Sequence, residues 1–234
     1  MDDLLDMYLG SDEVPFKEEP KKESGNFKSK GGSREDLWNE TNFDKKQPDR
    51  AKFNKTGKSF LVVLAGTPDD VSKSYLNKLV SALSSRNHVM RYQFNNHTDF
   101  YKELTDIEGV TVEAYLPWKK MAQELANVKR TFASKLAYET AAYYAPKFST
   151  FPPAVRCIRA NAVHALLGEK VDNPVDLILT WSECGTEVIS RDTDFKKVNN
   201  IVSYLQMAKD LNIPVYNVKN KESAQKVAEY VKNL

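Results

Sequence analysis

At 234 residues the chain has room for one sizeable domain and additional material. Its 34 Lys and Arg nearly balance 32 Asp and Glu, so bulk charge argues neither for nor against a nucleic-acid partner. No apolar run approaches the ~20 residues of a membrane span. The acidic opening, residues 1–9, is unlike a secretory signal, and a cytoplasmic protein without membrane contact is expected. Cys157 and Cys184 lack metal-ligand spacing and only three His accompany them, so no metal and no cofactor is expected. Two unpatterned thiols suit a reducing compartment.

Residues 11–57 carry few aliphatic side chains and many Lys, Glu, Asp, Ser, Asn and Gly. Such a segment buries too little apolar surface to offset its ordering entropy, so residues 1–57 are expected as a disordered or extended tail before a domain at 58–234. Two islands interrupt the tail. Leu4, Leu5, Tyr8 and Leu9 fall near one helical face between acidic residues; residues 1–10 are either a short motif docking into a protein partner's groove or a helix packed on its own domain. Trp38 and Phe43 form the second island, expected to dock on the chain's own domain.

Within the domain, residues 58–66 read as a strand ending in Gly66, and Thr67 and Pro68 as the N-cap and first residue of a helix through Leu83. Residues 88–94 and 110–116 read as further strands, with a helix from Asn96 to Leu104 between them. A long helix is expected over 118–144, and another over 154–167 with Gly168 as its C-cap. Residues 174–181, Pro-Val-Asp-Leu-Ile-Leu-Thr-Trp, form a short branched apolar run, as a buried parallel strand requires. Helical periodicity over 194–211, a strand over 212–217 and an amphipathic helix over 222–234 complete the chain. This alternation predicts a Rossmann-like three-layer α/β sandwich with a mostly parallel sheet of about five strands.

Ligands in such sheets bind beyond the carboxyl ends of the strands, which here means Gly66 and Thr67 and the stretch 182–191. Gly66 and Thr67 offer a strand tip meeting a helix N-terminus, an anion site or a tight turn and nothing more. Ser182, Gly185 and Thr186 supply small polar groups at the next tip, where Val188 and Ile189 fit a small hairpin arm. Asn199 and Asn200 are placed where the following helix begins. Arg156 and Arg159 stand one turn apart, either clamping a phosphate or lying on a solvated face. His164 is expected to pack or bond locally. Cys184, flanked by Glu183 and Glu187, lacks the electropositive setting of a nucleophilic thiol.

Several phrases in order, at residues 60–66, 114–118, 160–168, 174–181 and 204–217, resemble the DprA-like, often phage-encoded members of the SLOG superfamily, the SMF/DprA and Lonely Guy group. The resemblance covers residues 58–234 and implies a Rossmann-like domain holding nucleotides or nucleotide-derived ligands. Some relatives cleave base from ribose 5-monophosphate with an arginine and a glutamate beside a Gly-Gly-x-Gly-Thr loop, and the DprA branch handles single-stranded DNA. This chain departs at both features: Asn161 and Ala162 stand where Arg-Asn is usual, and Asn199, Asn200 and Ile201 where Gly-Gly-Thr is usual. Without the glycines, backbone amides approach a phosphate less closely.

Three functions compete on these grounds. The first is a binding domain for a nucleotide-related ligand, carried by Gly66, Thr67, Arg159, Ser182, Gly185, Thr186, Asn199 and Asn200, in a phage accessory or host-takeover protein acting in the host cytoplasm. The second is a nucleoside 5'-monophosphate glycosidase with Glu187 as its acid and Arg156 or Arg159 as its electrophile. The third is a scaffold tethered through residues 1–10. A homo-oligomer is expected, and Lys119, Lys120, Lys129 and Arg130 are the candidate DNA contacts on a helix face.

Overall fold

A strand made almost entirely of apolar residues is stable only where both its faces are covered. In the computed structural model, which describes residues 47–93, 99–117, 128–130, 132–145, 148–190, 193–198 and 201–234, β1 (Lys58–Leu64) holds that place, every residue after Lys58 being buried. Chain order continues with α1 (Asp70–Ser84), β2 (His88–Gln93), α2 (Asp99–Thr105), β3 (Val112–Tyr115), β4 (Val128–Arg130) and α3 (Lys135–Tyr144). Then come α4 (Pro153–Leu167), β5 (Leu177–Trp181), the one-turn α5 (Phe195–Val198), α6 (Val202–Leu211), β6 (Val215–Asn217) and α7 (Lys221–Lys232). The strands form a single sheet in the order β4-β3-β2-β1-β5-β6, and every described pairing is parallel. This is the expected Rossmann-like α/β architecture.

Strand alternation sorts the core into two layers. Phe60, Val62 and Leu64 of β1 and Leu177 and Leu179 of β5 pack with Leu76, Val80 and Leu83 of α1, Leu104 of α2 and Val227 of α7. Leu61 and Val63 of β1 and Ile178 of β5 face the other way, against α3, Val163 and Leu166 of α4, and Leu205 and Ala208 of α6. Each fully buried aliphatic side chain contributes about 1.5–3 kcal/mol, so the two layers together outweigh any single polar contact.

The sequence expectation differs from the structure in several elements. Residues 118–144 are not one helix: Val128–Arg130 is a sixth strand, and the helix starts only at Lys135, where the Ser134 hydroxyl accepts from the Ala137 amide at 3.2 Å. A three-residue run carries too little alternation to announce a strand. The candidate DNA contacts Lys129 and Arg130 therefore lie on a strand and not on a helix face; Lys119 and Lys120 fall outside the described residues. The helical stretch 194–211 is split into α5 and α6. Val188 and Ile189 stay irregular.

Residues 1–46, with both hydrophobic islands, lie outside the described residues. Residues 47–57, assigned to the tail by composition, include a segment tied to the domain. Phe53 packs on the α3/α4/α6 layer, the Asn54 amide donates to the Asp172 carbonyl at 2.7 Å, and Asn173 exchanges hydrogen bonds with Thr56. Composition misses this because the contacts are mostly backbone and side-chain hydrogen bonds, not apolar burial.

One buried cation fastens the middle of the sheet to α4. Arg91, only 3% exposed, pairs with Glu113 at 3.3 Å and donates to the Asn173 carbonyl at 2.7 Å and, more loosely, to that of Leu166. It sits below the last turn of α4, where a positive charge meets the negative helix end. Gly168 closes that turn with φ +78°, and an added Cβ would stand 3.2 Å from Asn173. Arg91→Met takes the donor from the Asn173 carbonyl and the cation from Glu113, and it should lower stability by about 3 kcal/mol. Urea unfolding would read this as a lower midpoint at unchanged slope; an unaltered midpoint contradicts the assignment.

Candidate functional site

The strand order reverses between β1 and β5. From β1 the chain passes through α1 in one layer toward β2; from β5 it passes through α6 in the opposite layer toward β6. The two connections therefore diverge, and the carboxyl ends of these strands are the switch point at which open α/β sheets receive their ligands. Their pairing runs to the very tips, Leu64 opposite Trp181, with the Ala65 amide donating to the Trp181 carbonyl at 2.8 Å. The two strands are thus tied together up to the point where Gly66, Thr67 and the 182–187 loop leave them.

At the β1 tip, glycine has a steric reason. A Cβ on Gly66 would lie 3.3 Å from Cζ3 of Trp181, whose ring flanks the tip. Thr67 is exposed but caps nothing. The helix starts at Asp70, and its N-cap is Asp69, whose carboxylate accepts from the Ser72 amide at 2.9 Å. The carboxylate of Asp69 also meets Lys219 at 2.8 Å. That hydrogen bond first, and the Ser72 amide second, hold the Asp69 carboxyl far below the usual range. Aspartate and threonine both cap well, and the preceding proline moves the first helical turn two residues on. The α1 N-terminus consequently already carries its own anion, with Asp70 beside it, which disfavours a second anion at Gly66 and Thr67.

At the β5 tip, the polar groups are largely spent on one another. Ser182 is fully buried; its hydroxyl accepts from the Asn217 side-chain amide at 2.8 Å and from the Thr186 amide at 3.2 Å. Asn217 also donates to the Thr186 carbonyl at 3.0 Å. Gly185 takes φ +67°, a left-handed conformation that favours glycine, and its amide donates to the Ser182 carbonyl. Glu187 is half-buried and accepts from the Asn217 backbone amide at 3.2 Å. Asn217 is the organiser that the sequence reading passed over; a buried amide side chain closing an apolar strand at the rim is the signal that marks it. The Cys184 thiol lies 3.0 Å from the Thr186 hydroxyl. Partial burial pushes this thiol up, but hydrogen bonds from Thr186, Ser182 and the loop amides outweigh it, and the net shift is downward. Charge neighbours in the sequence do not reveal this, because the stabilising groups are neutral.

The α4 and α6 side completes the rim. α4 runs antiparallel to the strands, so its first half lies at their carboxyl ends, and Gln93 at the tip of β2 donates to the Ile158 carbonyl at 2.7 Å. The buried Tyr204 hydroxyl of α6 donates to the Gln93 side-chain carbonyl. Arg159 donates to the Ser203 hydroxyl at 2.7 Å and lies over the Phe151 ring at 4.9 Å. Arg156, half-buried one turn earlier, has its Nε buried without a partner. Asn199 and Asn200, and Arg191 at the end of the loop, fall outside the described residues. Here α6 begins at Val202, with Ile201 at the N-cap and no side chain capping it.

His164 is a packing residue. Its Nε2 accepts from the Ser134 amide at 3.0 Å and its Nδ1 donates to the Gly168 carbonyl at 3.0 Å, the pattern of a neutral ring with its proton on Nδ1. Both cysteines are free thiols. Among the described residues no three His, Cys, Asp or Glu side chains cluster as metal ligands do, and no helix is long and apolar enough to cross a membrane. No family model, curated protein or solved structure matches this chain.

Two outcomes follow from these contacts. Because the folded Asp69 pKa lies below the unfolded value of about 4, its stabilisation is full above that pH and is lost as pH falls toward the folded value. The difference in thermal midpoint between wild type and Asp69→Asn should therefore shrink as pH drops from 7 toward 3; a gap independent of pH contradicts the pairing. Burial pushes the Cys157 thiol up while the Cys184 thiol is lowered. An aromatic disulfide reagent at pH 7 should react with Cys184 about tenfold or more faster, and Thr186→Val should slow that phase. Equal rates for the two thiols overturn this.

Proposed function

We propose that the protein binds a nucleotide-related small molecule at the crevice beyond the β1 and β5 tips, and that it binds without cleaving. The observation that carries this reading is the reversal of strand order between β1 and β5, with a glycine-ended tip on one side and a hydrogen-bonded polar loop on the other. Open α/β sheets receive their ligands at that point. The ordered likeness to the SLOG group supports the nucleotide class, and with it a phage accessory or host-takeover role in the host cytoplasm, in a homo-oligomer. Among the described residues, Glu187 is the acid of the 182–187 loop nearest to a catalytic position. Its carboxylate is engaged with the Asn217 amide, which supports a role in holding the loop over one in protonating a glycosidic bond.

Native mass spectrometry of the full chain taken from its own host should show a discrete added mass, and calorimetric titration with nucleoside monophosphates should show saturable binding. Gly66→Val drives a side chain against Trp181 and should weaken that affinity by about tenfold or more, while release of free base stays at background in wild type. Absence of both the added mass and any titration signal removes the reading. Base release that disappears in Glu187→Gln replaces it with the glycosidase.

A further inference from the structure

Burying part of a guanidinium is unfavourable unless something negative accompanies it. On the first half of α4 this happens twice with no such companion. Arg159 is half-buried, and burial lowers its pKa from the ordinary value. Its only hydrogen bond among the described residues runs to the neutral Ser203 hydroxyl, a residue that is itself 9% exposed, and its flat face rests on Phe151. Arg156, one turn away on the same helix, has a buried Nε with no acceptor at all. No described ion pair involves either arginine. Arg159 moreover reaches toward the start of α6, an uncapped positive helix end, where another cation adds repulsion. In contrast, the buried arginine Arg91 is provided with a carboxylate and two carbonyls.

Two stacked or buried guanidiniums beside a helix start without a side-chain cap, with neutral hydroxyl support and no counter-ion among the described residues, make a receptor for a compact multivalent anion. We infer that Arg159 and Arg156 hold a phosphate group between α4 and the first turn of α6, as the phosphate end of the ligand that occupies the neighbouring crevice. Ser203 fixes the Arg159 fork, and Phe151 fixes its plane. The assignment of this phosphate to a nucleoside rests on the function proposed above; the anion site itself stands on the two arginines.

The test uses the full chain at constant ionic strength, with inorganic phosphate, AMP and adenosine as probes and potassium chloride as the matched control. Thermal midpoints should rise with phosphate and with AMP beyond the chloride control, and calorimetry should place AMP well ahead of adenosine. Arg159→Gln should weaken phosphate and AMP at least tenfold while leaving the anion-free midpoint unchanged or higher, because an uncompensated cation has been removed. Arg156→Gln, which leaves the Ser203 contact intact, should weaken the same two probes, and Arg159→Lys should restore only part of the loss. Phosphate acting no differently from chloride overturns the anion site, as does AMP affinity unaltered in the Arg156→Gln, Arg159→Gln double variant. Phosphate binding that needs the arginines, together with AMP no tighter than phosphate, keeps the anion site and removes the nucleotide reading.

Discussion

The pairing of β1 with β5 is the constraint on which the rest depends. Both strands are buried on both faces, and they stay in register from Phe60 opposite Leu177 to Leu64 opposite Trp181. Segments far apart in the chain, 58–64 and 177–181, are joined by backbone hydrogen bonds that have no alternative partners in a dry interior. Once they lie side by side, the layers are settled by alternation: Phe60, Val62 and Leu64 must meet α1 and α7, and Leu61 and Val63 must meet α4 and α6. The connections that leave β1 and β5 run in opposite layers, and the switch point at their tips is a geometric result of that division.

Electrostatics divides the rim into unlike regions. Near Gly66 the helix end is capped by Asp69, which Lys219 pairs with in turn; at the β5 tip the hydroxyls and amides of Ser182, Thr186 and Asn217 saturate one another. A closed loop of this kind is a stiff wall, and it shapes a ligand's surroundings more by position than by free donors. Along α4 and α6 the balance is opposite, with two arginines that have no partner of unlike charge among the described residues. Phosphate recognition in such sheets commonly falls to glycine-rich backbone.

Individual residues show how far pattern alone carried. The continuous run Leu177–Trp181 identified a buried parallel strand because such a strand needs apolar groups on both sides. Gly168 marked the end of α4 because only a left-handed closure follows there. Asp69 took the cap from Thr67 because both residues cap well and only the turn geometry decides between them. Val128–Arg130 joined the sheet edge because β3 offered it an unpaired side, a fact invisible in three residues.

The amino-acid order by itself determined the α/β alternation, the parallel character of the sheet and the rim at which a ligand site would form, since these follow from local periodicity and from the obligation to bury apolar runs. Only the tertiary structure decided which rim groups are left with bonding capacity. Ser182 and Glu187 look available in the sequence, yet Asn217, thirty residues and more away, consumes both. Arg159 looks like an ordinary surface cation, yet Phe151 and Ser203 enclose it without neutralising it. Hydrogen-bond satisfaction and desolvation are properties of neighbours in space, and neighbours in space are not encoded in spacing along the chain.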